Sequence, residues 1–195
     1  LREMLQPNYP EMEIRRIETI GPKVGDELKT SALQAILIAL GLVLIYITFR
    51  FQWRQGIAAI ITLLHDVMVV VGIFSIFDKE FTLPVIAALL TVVGYSLNDT
   101  IVIFDRIREN ISKFRKRELL PLINQSVTET LSRTLLTSGT TLMVVLALVF
   151  LGGEIIHDFA FALLVGVLIG TYSSIYVASP TVLWLTKIAP PKTSD

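Results

Sequence analysis

"GYSLNDTIVIFDRIREN", residues 94–110, begins as a membrane helix and finishes as a charged helix in water. Its apolar half is interrupted by Asn98, Asp99 and Thr100, which sit between Leu97 and Ile101. A charge at the centre of a span costs at least ~2.5–3.5 kcal/mol on insertion scales, and such residues usually face a bundle interior or a hydrated cavity. Whether the flanking sequence is membrane or water therefore decides the fold.

The flanks are membrane. The 195 residues are 53% hydrophobic and only 17% charged, with a mean hydropathy of +0.67, where a soluble domain carries ~25% charged residues. Seventeen basic side chains balance seventeen acidic ones, and no strongly basic face or tail exists to neutralise phosphates, which argues against a nucleic-acid partner. The absence of cysteine excludes disulfides, thiolate metal sites and cysteine nucleophiles. No nucleotide-binding glycine loop occurs, so ATP is not expected as fuel within this chain.

Five stretches are long enough to cross a bilayer, which takes ~20 apolar residues: Ser31–Phe49, Ile57–Phe77, Leu83–Phe104, Leu131–Leu151 and Phe159–Lys187. The fold class expected is an all-α polytopic membrane protein of five transmembrane helices. Residues 1–30 read as the end of an outer domain and a lead-in to the first helix, with Asp26 and Glu27 at the helix start, where the dipole favours acids. Residues 31–105 hold helices one to three, and residues 106–130 a cytoplasmic loop with an amphipathic helix that breaks near Pro121. Residues 131–187 hold helices four and five, and 188–195 are a tail. Ser179-Pro180 is expected to kink or end the last apolar run.

Loop charges orient the chain. Arg50, Arg54, Arg106, Arg108, Lys113, Arg115, Lys116, Arg117, Lys187 and Lys192 fall on one side, against Lys79 alone on the other. By the positive-inside rule the ten are cytoplasmic, which leaves the N-terminus outside and the C-terminus inside. An outside N-terminus without a signal pattern, in a chain that opens on Leu1, is expected of a fragment or processed product whose earlier span has been removed.

Three charged residues stand out within the spans. At ~1.5 Å of rise per residue, Asp66 lies ~13 Å from the inner end of its span and Asp99 ~8 Å, while Arg133 lies near the inner end and reaches further in with its long side chain. All three occupy the inner half. Thr91, Tyr95 and Asn98 recur at helical spacing and lead on to Asp105, with Asp99 beside them. Thr130, Arg133, Thr137, Thr140 and Thr141 form a second stripe. Polar stripes of this kind suit a hydrated cavity rather than lipid. Ala162, Gly166, Gly170, Ser174 and Ala178 repeat every four residues as a small-residue face for close helix contact. Plainer roles exist for each charge. Asp99 would serve as a structural ion pair or packing hydrogen bond, Asp66 and His65 would satisfy each other, and Arg133 would snorkel to the inner headgroups.

The blocks "GPKVGDELKTSAL", "HDVMVVVGIF" and "AALLTVVGYSLNDTIVIFDRIREN" resemble the SecF family, the membrane subunits of bacterial SecDF protein-export complexes in the resistance-nodulation-division superfamily. The likeness covers Gly21 to Lys187. It implies six spans, of which these are the second to sixth, half of a superfamily-type bundle. It also implies a proton-driven accessory subunit of the Sec translocon in the cell inner membrane, not an enzyme, with protons as coupling ion and no other cofactor or metal. The implied partners are SecD, the SecYEG translocon, YajC and YidC, the translocating preprotein and membrane lipids. Residue by residue, the family's proton carrier falls on Asp99 and its arginine on Arg133. Asp66 and His65 join them as relay candidates, with Asn98, Thr100, Tyr95 and Thr137 in support. Rival classes are an intramembrane aspartyl protease, another exporter half of the same superfamily, and a non-conducting structural subunit. The protease is disfavoured because Asp99 follows Ser-Leu-Asn, not Gly-x-Gly.

Overall fold

The computed structural model describes residues 22–50, 53–114 and 118–188. Most of the expected outer-domain remnant, the basic residues Arg115 to Arg117 and the C-terminal tail with Lys192 lie outside the described residues. Those described form helices and their connections, with no strand among them: α1 (Pro22–Arg50), α2 (Trp53–Ile76), α3 (Leu83–Lys113), α4 (Leu119–Leu151), α5 (Glu154–Ser173), a π-helical turn (Ser174–Ala178) and α6 (Ser179–Ile188). The all-α polytopic class holds. Among the described residues, four helices are long and apolar enough to cross a membrane, one fewer than the five expected: α2, α3, α4 and the continuous Glu154–Ile188 rod. The remaining expected span, the first, falls in α1, whose apolar stretch is the shorter Leu37–Ile47.

Helix boundaries follow local chemistry. Helix α1 opens with Pro22, a residue preorganised for the first helical turn. Asp26 and Glu27 consequently lie past that turn rather than at the helix start. Thr82 flanks α3 in an extended conformation with Pro84 in the first turn. The break expected near Pro121 falls earlier: α3 ends at Lys113 and α4 begins at Leu119, so Pro121 sits in the first turn of α4, where a missing N–H costs nothing. Gly153, at φ 73°, makes the tight turn into α5, a conformation that glycine adopts without strain. Pro180 cannot donate to the carbonyl one turn back, and the preceding turn widens into the π-helix instead of ending the rod. Ser179 Oγ donates to the Ser174 carbonyl within that turn at 3.3 Å.

Two apolar clusters hold the bundle. The first joins Ala59 and Leu63 of α2, Leu97, Phe104 and Ile107 of α3, Ile123 of α4 and Val182 of α6. The second joins Val70 and Phe74 to Val85, Ala88 and Ala162, and beyond it Lys79 pairs with Asp158 and lies over the Phe161 ring. The Lys79 ammonium holds the Asp158 carboxyl below its ordinary range.

Helices α3 and α5 approach closely because α5 turns its small-residue face to α3. A Cβ added at Gly166 would overlap Val92, and one at Gly170 would lie 3.0 Å from Ser96 Cβ. Ala162, Gly166, Gly170, Ser174 and Ala178 are all buried, as tight packing of small residues requires. Helix α4 is the exception in burial. Only 17% of its apolar window is covered, against 39–44% in the other three, so most of its circumference is left for lipid or a partner.

Candidate functional site

Between the two apolar clusters lies a polar layer. On α2, Leu63 belongs to the first cluster and Val70 to the second, and Asp66 falls between them, 1% exposed. Its Oδ2 accepts hydrogen bonds from Ser96 of α3 and, at 2.8 Å, from Ser173 of α5. His65 Nδ1 stands 3.0 Å from its Oδ1. Three neighbours thus serve one carboxylate and tie α2, α3 and α5 together.

Asp99, 3% exposed, lies one turn beyond Ser96 on α3 and is held far more loosely. Ser138 of α4 donates to its Oδ2 at 3.4 Å, the long end of the hydrogen-bond range. Thr171 of α5 donates in turn to Ser138 at 2.7 Å. Two further hydroxyls in this layer, Thr100 and Thr134, are buried without a hydrogen-bond partner. In a low-dielectric interior such unpaired groups are costly.

Apart from Thr130, which is buried, the hydroxyl, amide and guanidinium groups of the two sequence stripes face largely outward. Thr91, Asn98, Arg133 and Thr140 are exposed, while Tyr95, Thr137 and Thr141 are half-buried. Tyr95 donates to Thr141 at 3.2 Å and joins the two stripes into one open polar face. Thr137 bonds back to the Arg133 and Thr134 carbonyls, both at 3.0 Å. The buried stripe of α4 shares only Thr130 with the one read from the sequence: Ser126, Thr130, Thr134 and Ser138, repeating every four residues.

Below this layer a cleft of about 350 Å³ is lined by Asp105, Arg106, Glu109, Glu129, Thr130 and Arg133. Arg106 bridges Glu129 of α4 and Glu109 of its own helix. Asn110 donates to Ser126 at 2.9 Å and to Glu129 at 3.0 Å, and Gln125 donates to Glu129 at 2.8 Å. The amides of Asn110 and Gln125, with the Arg106 guanidinium, lower the Glu129 carboxyl from 4.5 to about 2. Arg133 lines the same cleft, and its side chain meets no carboxylate among the described residues.

Of the relay candidates, the structure places Asp66 and His65 in direct contact, buries Asp99 in the same layer, and sets Arg133 at the edge where the layer opens into the cleft. Asn98 is on the open face, not beside the Asp99 carboxylate. Ser96, Ser138, Thr171 and Ser173 were missed as site residues. Four-residue spacing from Ser126 to Ser138 was the signal for one of them; Ser173 and Thr171 flank the small-residue face without belonging to it. No cluster of three or more metal-ligating side chains occurs among the described residues. Asp66 is thus held by three neighbours, whereas Asp99, backed by hydroxyls, has one long hydrogen bond.

Apolar rods carrying buried acids define a multi-pass membrane protein. The family model described as "Protein export membrane protein SecD/SecF, C-terminal" matches residues 1–188, and the chain belongs to that family. It is 56% identical to the protein translocase subunit SecF of Desulfurispirillum indicum over 92% of this chain and 58% of that one. It is 56% identical to SecF of Vibrio alginolyticus over 89% and 55%. Against the translocase subunit SecDF of Thermus thermophilus, identity is 53% over 85% of this chain and 23% of the relative. The crystal structure of SecDF from that organism, a translocon-associated membrane protein, superposes with a TM-score of 0.86 at 48% identity, covering 95% of this chain and 26% of the other. The chain thus spans rather more than half the length of the SecF relatives it matches.

Proposed function

We propose that this chain is the membrane part of a proton-motive-force-driven accessory subunit of the Sec translocon, lying in the bacterial inner membrane with its N-terminal side outside. Asp99 is the proton carrier and Arg133 its counter-charge. Burial disfavours the ionised carboxylate and an approaching guanidinium favours it, so alternating between the two environments loads and unloads one proton. Each charge that crosses the field releases ~2.3 kcal/mol per 100 mV, enough to bias a helix arrangement with two states. His65 and Asp66 connect to Asp99 through Ser96 and its helix; Thr100 lies buried beside Asp99 as support, and Tyr95, Asn98 and Thr137 line the open polar face through which waters reach the layer.

The observation that carries this reading is the contrast in hydrogen bonding. Asp99 is buried with one 3.4 Å donor directly behind an open polar face bearing Asn98 and Arg133. An unpaired amide and guanidinium facing hydrocarbon would be expensive, which supports a covering partner of related fold. SecD fits that place, with a pseudo-twofold relation between the halves. SecYEG and the emerging preprotein then act on the outer side, with YajC and YidC as further associates.

The test is proton flux in vesicles holding the full-length protein with SecD. Flux that depends on a preprotein substrate and disappears in Asp99→Asn, with the assembled complex at normal amount, supports the reading. Undiminished flux and export in Asp99→Asn would reduce Asp99 to a packing residue and the chain to a structural subunit.

A further inference from the structure

At the end of the bundle that carries the basic loops, the charged residues fall into two groups. Arg50 pairs with Asp105 at 2.9 Å, Arg106 with Glu109 and Glu129, and Lys113 with Glu109 at 2.7 Å. Arg54 at the start of α2 and Arg108 near the end of α3 meet no carboxylate among the described residues. These two unneutralised guanidinium groups line one cavity of about 310 Å³ between α2, α3 and α6, and no acid lines it. Arg54 Nε is buried without a hydrogen-bond partner.

The remaining lining fits a particular ligand. Ser112 and Thr186 add hydroxyls, and Ile107, Ile111 and Val182 form an apolar wall. Gln55 donates to the Phe104 carbonyl at 3.2 Å, which leaves its buried Oε1 as an unpaired acceptor. Depth is marked by Trp53, beside Arg54, and Trp184 of α6, both exposed, since tryptophan gathers at the membrane–water boundary. The cavity therefore opens where lipid phosphates lie and acyl chains begin. Its volume is at the low end of the ~300–1,000 Å³ typical of ligand sites, the size for a headgroup rather than a whole lipid.

We infer that the Arg54–Arg108 cavity is a binding site for the phosphate of an anionic phospholipid whose headgroup also carries a hydroxyl. The phosphate takes the two guanidinium groups, which donate in the planar forks that suit phosphate oxygens. A headgroup hydroxyl donates to Gln55 Oε1, and the first acyl carbons lie on Ile107, Ile111 and Val182. Basic pockets between spans at this depth are a common form of lipid headgroup site. This inference stands apart from proton coupling, because neither arginine lines the Asp99 layer or its cleft.

The experiment uses the full-length protein with its partner subunit in neutral detergent, titrated with phosphatidylglycerol or phosphatidylcholine and read by native mass spectrometry. The expected result is at least a tenfold preference for phosphatidylglycerol, falling about fivefold for each of Arg54→Gln and Arg108→Gln and unchanged in Lys113→Gln. Should Arg54→Gln, at a partly buried position, fail to assemble, Arg108→Gln, at an exposed one, must still show its fivefold loss. Equal binding of the two lipids, or no loss in Arg108→Gln, overturns the site. Complete displacement of the lipid by inorganic phosphate at equal concentration overturns the lipid assignment in favour of a free anion.

Discussion

Asp66 and Asp99 sit on neighbouring helices in one polar layer, and both are almost completely buried, yet the bundle treats them oppositely. Asp66 has hydroxyl donors from two other helices and the imidazole of its own neighbour at its side, and each hydroxyl ties its helix to α2. Asp99 has one stretched donor, and that donor, Ser138, belongs to α4, the least covered of the four long apolar spans. A fully satisfied buried network rigidifies what it joins. A carboxylate with a single long bond leaves its surroundings free to move. The same residue type therefore serves as a rivet in one place and, on the reading proposed above, as a moving part in the other.

Asparagine substitution at each site should split the two most sharply. Asp99→Asn keeps the size and removes the titrating proton, so proton-dependent export should fall at least tenfold while assembled complex stays at its normal level. Insertion itself should ease slightly, because a neutral side chain replaces an ionisable one. Export assays normalised to the amount of complex make the comparison. Equal loss of assembly in both variants would erase the distinction.

Asp66→Ala should act on stability instead. It removes the shared acceptor of Ser96 and Ser173, and a buried donor left unsatisfied costs about 1–3 kcal/mol. Thermal unfolding of the purified full-length protein should register the loss, with Asp66→Asn milder because the carbonyl oxygen of the amide still accepts. A stable Asp66→Ala protein with abolished proton flux would move Asp66 from rivet to relay.

Part of this contrast was legible in the residues and part was not. Long apolar runs and their charged flanks marked the helices, and an aspartate amid leucine and isoleucine marks itself. The four-residue rhythm of Gly166 and Gly170 announced a close helix approach, now seen against Val92 and Ser96. Facing was harder. Serine and threonine satisfy themselves on their own helix, as Thr137 does on the Arg133 carbonyl, so their presence in a span does not reveal whether they look in or out. The chosen stripe of Arg133, Thr137 and Thr140 points largely outward, and its neighbour through Thr134 and Ser138 points in. Only tertiary packing tells the two apart. The first helix is similar: its apolar stretch is too short to read with the certainty of α2 or α3.

Arg133→Lys probes the mobile side with a smaller expected effect. Lysine retains the charge but loses the planar fork that matches a carboxylate. Proton flux should fall a few-fold, with assembly unchanged, because Arg133 makes no ion pair that the fold depends on. Full activity would show that charge alone suffices at this position, and that the guanidinium geometry contributes nothing to the exchange with Asp99.

The smallest effect should appear at the inner cleft, where the rigid pattern returns. Glu129 is depressed from 4.5 to about 2 by Asn110, Gln125 and Arg106. A carboxyl lowered on folding stabilises above its unfolded value, and that contribution disappears as pH falls through the folded one. The contacts that join α3 to α4 through Glu129 should thus be constant from neutral pH down to about 4.5 and weaken only between there and about 2. Nothing in the range where a cell works should loosen them. Glu129→Gln, which keeps an acceptor but not the charge, should leave proton flux near normal and abolish the acid-dependent loosening. Hydrogen exchange of the amides from Asn110 to Gln125 against pH is the direct measurement. A transition in wild type between pH 6 and 8 that vanishes in Glu129→Gln would mean the carboxyl titrates while protons are moving. Glu129 would then belong with Asp99 among the moving parts, and the division drawn between the two ends of this layer would fail.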